Sequence, residues 1–404
     1  MDWLTKACRE RIVVFDGGLG TALQTAGVPP SECNELLVET QPDLVRKVHE
    51  QFLAAGADVI ETDTFGGAQH TLAGHGLGEK CFLLNRGAVE IARKAVREYA
   101  TPARPRYVAG SIGPGSKLPS LGHVVFAELV ASFRTQVDGL LAGGVDCLIV
   151  ETSQDLLQLK AALAAALDAF ESAGRRVPVI AQVTLNEHGR TLTGSDIEAV
   201  LAAIEPYPVA AIGLNCGVGP EGMSAAVRYL AGHSSKLVSV MPNAGLPRID
   251  SGRIVYDLSP EDFSGRMKQF ATGPGLNIAG GCCGTAPEHI RQLARALDGI
   301  APRRPVPAVP RVSSLFSAQE LRVEPRPLFV GERTNAGGSK RFRELLFARD
   351  FEGMVAAAQE QKAEGAQVMD LSVAAAGQDE VADIKELALR LNSCLLYTSD
   401  AADE

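Results

Sequence analysis

No run of apolar residues in this 404-residue chain is long enough to cross a membrane. No basic run interleaved with aromatics occurs either. The charge balance leans the other way: 39 Lys and Arg against 48 Asp and Glu give a net charge of −9. A nucleic-acid surface is therefore not expected, and small molecules or proteins are the expected partners. The opening Met1-Asp2-Trp3-Leu4-Thr5-Lys6 lacks the apolar core of a signal peptide, so a cytoplasmic location is expected. Histidines at metal-ligand spacing are also missing. His70, His75, His123, His188 and His233 stand apart and read as surface or capping residues. A disulfide scaffold is not expected, because cysteines in a long chain of this kind are more often reduced.

The chain does have eight cysteines, unevenly placed. Cys8, Cys33, Cys81 and Cys147 stand alone and read as small buried hydrophobes or incidental thiols. Cys282 and Cys283 are adjacent, within Gly280-Gly281-Cys282-Cys283-Gly284-Thr285. In a regular strand their side chains would point to opposite faces. Flanking glycines let the backbone bend so that both sulfurs face one point. With Cys216, in Leu214-Asn215-Cys216-Gly217, they make three thiolates, enough to hold zinc with one coordination position open. Three alternatives stand beside this: three buried free thiols, a strained disulfide between Cys282 and Cys283, or a closed structural zinc site completed by His289.

Short β-branched apolar runs cover 12–18, 58–65, 106–113, 147–153, 178–185, 210–216, 237–245 and 276–284. Their near-continuous hydrophobicity fits parallel strands buried on both faces. Amphipathic helical patterns cover 43–55, 79–99, 124–142, 155–173, 196–204, 221–230, 260–270 and 287–297. Several open on helix-start signals such as Gln41-Pro42-Asp43 and Ala286-Pro287-Glu288. Eight βα units predict a (β/α)8 TIM barrel over 1–300, with a doubly wound open sheet as the runner-up. Polar and glycine residues collect at the strand ends, where this fold carries its active site. Those ends include Asp16-Gly17-Gly18, Glu61-Thr62-Asp63, Glu151-Thr152-Ser153, Asn215-Cys216 and Cys282-Cys283.

Residues 301–327 are proline-rich and read as a semi-rigid linker. From 328 to 393 a second α/β unit begins, with about two strands, too few to close a barrel. The last stretch, 394–404, fits nothing before it and resembles the translation of a transposon-end sequencing adapter. On that reading it is a non-native tail and the natural protein continues past Ser393.

Zinc held by three thiolates would carry a net charge of −1 and could still accept a substrate thiol, lowering its pKa. Such a site suits activation of a thiol toward alkylation. Asp16 and Glu151 could bind a substrate ammonium, and the N–H groups of Gly17 and Gly18 a carboxylate. Ordinary loop-capping carboxylates are the bland alternative for both acids. The combination points to an amino-acid thiol.

Five motifs in order carry a family resemblance: Asp16-Gly17-Gly18-Leu19-Gly20-Thr21, Glu61-Thr62-Asp63-Thr64-Phe65, Gly213-Leu214-Asn215-Cys216, Pro242-Asn243-Ala244-Gly245-Leu246-Pro247 and Gly280-Gly281-Cys282-Cys283-Gly284-Thr285. Together they resemble the zinc-dependent homocysteine S-methyltransferase family over about residues 10–300. The resemblance implies Cys216, Cys282 and Cys283 as zinc ligands, and Asp16 and Glu151 as contacts of the homocysteine amino-acid group. Val330-Gly331-Glu332-Arg333-Thr334-Asn335 and Gly365-Ala366-Gln367-Val368-Met369-Asp370 resemble the start of the pterin-binding domain of cobalamin-dependent methionine synthases. That implies Asn335 and Asp370 as pterin contacts, although Ser372 and Val373 depart from the asparagine usual after that aspartate. The order of the two pieces implies methyl transfer from methyltetrahydrofolate through methylcobalamin to homocysteine, the cobalamin being supplied by a domain absent from this sequence. A homocysteine methyltransferase using a sulfonium or betaine donor, and an inactive zinc-binding fragment, remain as alternatives.

Overall fold

A computed structural model of the protein describes residues 2–250 and 253–394. It divides into two compact units, Met1–Ala308 and the chain from Val309 onward. The expected non-native tail lies outside the described residues except for Cys394, which ends the helix Glu380–Cys394.

In the first unit, eight parallel strands form one sheet: β1 (Val13–Val14), β2 (Val59–Glu61), β3 (Tyr107–Ile112), β4 (Cys147–Ser153), β5 (Val179–Val183), β6 (Ala211–Asn215), β7 (Leu237–Met241) and β8 (Ile278–Ala279). Each of the eight predicted strands is present. Their order runs β1-β8-β7-β6-β5-β4-β3-β2. A parallel bridge from Phe15 to Val59 joins the two ends, so the sheet closes into a barrel and the open-sheet alternative falls. All eight predicted helices form, including Pro42–Ala55, Cys81–Tyr99 and Pro287–Leu297. Asp155 and Asp196 cap helices Leu156–Ala173 and Ile197–Ile204, each accepting a backbone N–H with its side chain.

Period-two alternation sorts the strand side chains into two cores. Val13, Phe15, Val59, Ala109, Cys147, Ile149, Ile180, Ala211, Leu237 and Ile278 fill the barrel. Their neighbours, such as Val108, Leu148, Val150 and Ile212, face the surrounding helices. Helix Trp3–Glu10, not predicted, closes the N-terminal end of the barrel with Leu4 and Cys8. Cys8, Cys81 and Cys147 are buried as expected, while Cys33 is partly exposed beside Glu35. A further unpredicted element is an antiparallel hairpin, Pro247–Asp250 with Arg253–Tyr256, inserted after β7.

Residues 301–305 do not stand off as a spacer. Arg303 is buried and donates to the carbonyls of Ala231 at 2.8 Å, Lys236 at 2.9 Å and Ser234, fastening this stretch to the barrel. In the second unit, Val330–Gly331 pairs in parallel with Val368–Met369, and Phe342, Leu346, Met354, Ala358 and Leu387 form its core. Among the described residues no helix is long and apolar enough to cross a membrane.

Candidate metal and substrate site

The inward face of each strand continues one step past the apolar layer. Two residues beyond Val59, Ala109 and Ile149 come Glu61, Ser111 and Glu151, and on the same inward face of β6 Asn215 lies four residues beyond Ala211. The barrel interior is thus apolar below and polar at the C-terminal ends. Above this polar layer the structure brings Cys216, Cys282 and Cys283 together. Their sulfurs all lie within 4.8 Å of one another, with 3.9 Å between Cys216 and Cys283. Thiolates on a tetrahedral zinc, with bonds of about 2.3 Å, stand about 3.8 Å apart. The donor set therefore fits a soft tetrahedral metal with only small adjustment. No other such cluster occurs among the described residues.

The backbone works to place these groups. Cys216 has φ +57° and Thr152 has φ +55°, conformations rare for residues with a Cβ. Each costs on the order of 1–3 kcal/mol and persists where surrounding contacts fix it. At Thr152 the Asn215 side chain supplies those contacts: its Oδ1 accepts from Thr152 N at 2.6 Å, and its Nδ2 donates to Thr152 Oγ1 at 2.7 Å and Glu151 Oε2 at 2.9 Å. At Cys216 the backbone does so, its N–H donating to Met241 O at 3.1 Å and its carbonyl accepting from Val218 N at 2.8 Å. Ser111 Oγ donates to the other Glu151 oxygen at 2.5 Å. Asp16 Oδ2 accepts from Glu61 N at 3.0 Å, while Asp16 Oδ1 is buried with no partner. That orphan oxygen faces a demand that only a bound donor or a proton meets.

Gly18 is the close-packing point between β1 and the sulfur turn. Its N–H donates to Thr285 O at 3.1 Å and Thr285 Oγ1 at 3.0 Å. The Gly18 N–H is thus committed inside the protein. The Gly17 N–H has no partner among the described residues. His289, the alternative fourth ligand, is also committed: Ala286 N donates to Nδ1 at 3.2 Å, and Nε2 bonds Leu258 O at 3.0 Å.

Charge in the site is redistributed by proximity. Cys283 is the sulfur held as thiolate: hydrogen bonds from Cys216 and Cys282 lower its pKa to about 3, against burial. Cys282 is pushed up by its bonds to Cys216 and Cys283 and by burial. For Cys216, the bond from Cys282 pulls downward, but the bond to Cys283, burial and the Cys283 charge outweigh it and raise the pKa to about 11. Asp16, Glu61 and Glu151 are all raised, chiefly by burial.

A cavity of about 900 Å³ lies at the opposite, N-terminal end, between Thr5, Cys8 and Arg9 of the closing helix and Ala301–Pro305. It contains none of the sulfur or strand-end carboxyl groups, so volume does not mark the chemistry here. In the second unit, Asn335 Nδ2 donates to Asp370 Oδ2 at 2.7 Å, so those two predicted residues are neighbours. The sequence reading did not single out Glu61, Ser111 or Asn215 as site residues. The inward period of the strands marks all three.

The homocysteine S-methyltransferase family model matches residues 13–297, and the pterin binding enzyme model matches residues 331–398. The chain is 43% identical over 389 residues to the methionine synthase of Mycobacterium tuberculosis (strain ATCC 25618 / H37Rv), covering 95% of this chain and 33% of that one. It is 43% identical over 400 residues to the methionine synthase of Mycobacterium leprae (strain TN), covering 96% and 33%. The chain therefore spans about a third of the length of these relatives. Among solved structures it resembles the metallated form of the homocysteine methyltransferase MmuM from Escherichia coli, with a TM-score of 0.60 and 26% identity over 70% of this chain and 96% of that one. The barrel, its sulfur trio and these likenesses agree: the chain belongs to the homocysteine S-methyltransferase family.

Proposed function

We propose that the Met1–Ala308 unit methylates the sulfur of homocysteine, giving methionine. One observation carries this reading: three cysteine sulfurs within 4.8 Å of one another share the barrel mouth with a buried, unpartnered Asp16 oxygen. A thiol-binding group and an ammonium-binding group at one mouth describe a substrate with both functions.

In this reading Asp16 Oδ1 and Glu151 accept hydrogen bonds from the substrate ammonium, and its positive charge restores both carboxyls to the ionised form. The Gly17 N–H is the group left to meet the substrate carboxylate. Asn215 and Ser111 hold Glu151 in place from below. With the amino-acid end fixed, the substrate thiol is aimed at the sulfur trio, and this positioning supplies much of the rate. Zinc held by Cys216, Cys282 and Cys283 would lower the pKa of a thiol taking its fourth position. The proposed donor is methylcobalamin on a cobalamin-binding domain, recharged from methyltetrahydrofolate. Asn335 and Asp370 are the proposed pterin contacts.

X-ray absorption of the zinc-loaded protein tests the reading. Homocysteine should add one sulfur neighbour to the metal, and an unchanged sulfur count would sink it. Methionine formation from free methylcobalamin should vanish in Cys282→Ala. Full activity in that variant refutes the ligand assignment.

A further inference from the structure

The cavity at the N-terminal end of the barrel lies within the first unit, against the chain leading into β5, β6 and β7. Helix Trp3–Glu10 forms one wall and residues 301–305 another. Its charge runs against that of the chain. Arg9, Arg176, Lys236, Arg303 and Arg304 line it, with Asp2 as the one acid among the lining residues, in a chain of net charge −9. Asp2 is already committed as a helix cap: Oδ1 accepts from Thr5 N at 2.8 Å and Oδ2 from Thr5 Oγ1 at 2.9 Å. Glu205 also bears on Arg303, but its Oε1 accepts from Ser235 N at 2.7 Å.

The Arg303 guanidinium is spent on carbonyls around the end of helix Pro220–His233, where the helix dipole favours a cation. The other four cations have no such use. Arg176 donates to Pro208 O at 3.3 Å. The side chains of Arg9, Lys236 and Arg304 have no hydrogen-bond or ion-pair partner among the described residues. Like charges gathered in one concave place repel one another, and low-dielectric walls focus their field on an incoming anion. Between the cations the lining is apolar, with Val209, Leu237 and Pro302. The volume of about 900 Å³ is that of a site for a small organic ligand.

We propose that this cavity binds a small organic molecule carrying two or more phosphate groups. Each phosphate brings a charge of about −1.5 to −2, so two of them balance the four cations other than Arg303. Arginine meets phosphate oxygens in paired hydrogen bonds, and the apolar lining takes the organic body. The site stands at the end of the barrel opposite the sulfur trio and does not rest on the reading of that trio. Its ligand ties helix Trp3–Glu10 to residues 301–305 and so holds that end of the barrel shut.

Calorimetric titration of the whole chain with ADP, pyrophosphate and adenosine, in magnesium-free buffer, tests it. ADP should bind at one site per chain, pyrophosphate more weakly, and adenosine not at all at the same concentration. Arg9→Ala and Lys236→Ala should each weaken ADP binding about 10- to 100-fold. Lys268→Ala, at an exposed lysine on helix Pro260–Thr272 outside the cavity, should leave it unchanged. Cys282→Ala should also bind ADP like the parent, which separates this site from the sulfur trio. Pyrophosphate binding as tightly as ADP would overturn the role of the apolar lining. Failure of both ADP and pyrophosphate to bind, or equal binding by the parent and the Arg9 and Lys236 variants, would overturn the whole proposal.

Discussion

Asp16, Glu61 and Glu151 crowd three carboxyl groups into one polar layer, where the Glu151 and Asp16 charges bear on Glu61. Carboxyls held that close resist ionising together. Burial, then the Glu151 and Asp16 charges, raise Glu61 well above the ordinary carboxyl range. A carboxyl whose folded pKa exceeds its unfolded value binds more protons folded than unfolded. Its stabilising contribution is complete below the unfolded value, about 4.3 for Glu, and is lost as pH rises through the folded value. Without substrate, the barrel should therefore lose stability from about pH 5 upward, by at most about 1.4 kcal/mol per pH unit for each extra proton held. Glu61→Gln keeps the shape and removes one titrating group. Urea unfolding at pH 5 through 8 should give a shallower decline in Glu61→Gln than in the parent; equal slopes would exclude a Glu61 that holds its proton. At this scale the sequence was partly legible. The cysteine trio, Asp16 and Glu151 stood out as chemistry at strand ends, and so did the motif holding Glu61. The closeness of Glu61 to Glu151 was not legible, because β2 and β4 are separated by β3 and their side chains converge only inside the closed barrel.

Among the elements, the end of β1 and the turn after β8 are packed so closely that glycine is obligatory between them. A methyl group on Gly18 would stand 2.5 Å from Thr21 Oγ1 and 2.6 Å from Cys282 O. The Thr21 hydroxyl can rotate away, but the Cys282 carbonyl belongs to the turn that carries two of the sulfurs. Gly18→Ala should therefore displace the cysteine pair, costing about 1–3 kcal/mol of stability. Dialysed protein should retain less zinc than the parent, and full retention with an unchanged urea midpoint would refute the packing argument. The sequence reading attributed these glycines to carboxylate binding. The structure commits the Gly18 N–H to Thr285, so Gly18 serves close approach. Strands and helices of the barrel were legible because continuous apolar runs and amphipathic stretches alternate at a regular spacing. The 247–256 hairpin was not, since its strands are four residues each and Pro247 opens the first. Helix Trp3–Glu10 was hidden for a similar reason: eight residues give barely two helical turns of pattern.

Over the whole molecule, the division after Ala308 separates a closed barrel from a smaller unit with its own core of Phe342, Leu346, Met354 and Leu387. The sequence placed the boundary at a proline-rich stretch, yet Arg303 ties the first part of that stretch to barrel carbonyls. Proline content signalled a stiff segment but could not say which surface it lies on. Units with separate cores unfold as separate transitions unless a large apolar interface couples them. Calorimetry should therefore resolve two transitions. Every proposed zinc and homocysteine contact lies in the first unit, so only that unit's transition should move when both are added. A ligand at 100 times its Kd adds about 2.7 kcal/mol. At an unfolding entropy of about 2.1 cal/mol/K per residue over roughly 300 residues, that shifts the midpoint by about 4 °C. A single transition, or equal shifts in both, would show that the two cores are thermodynamically coupled.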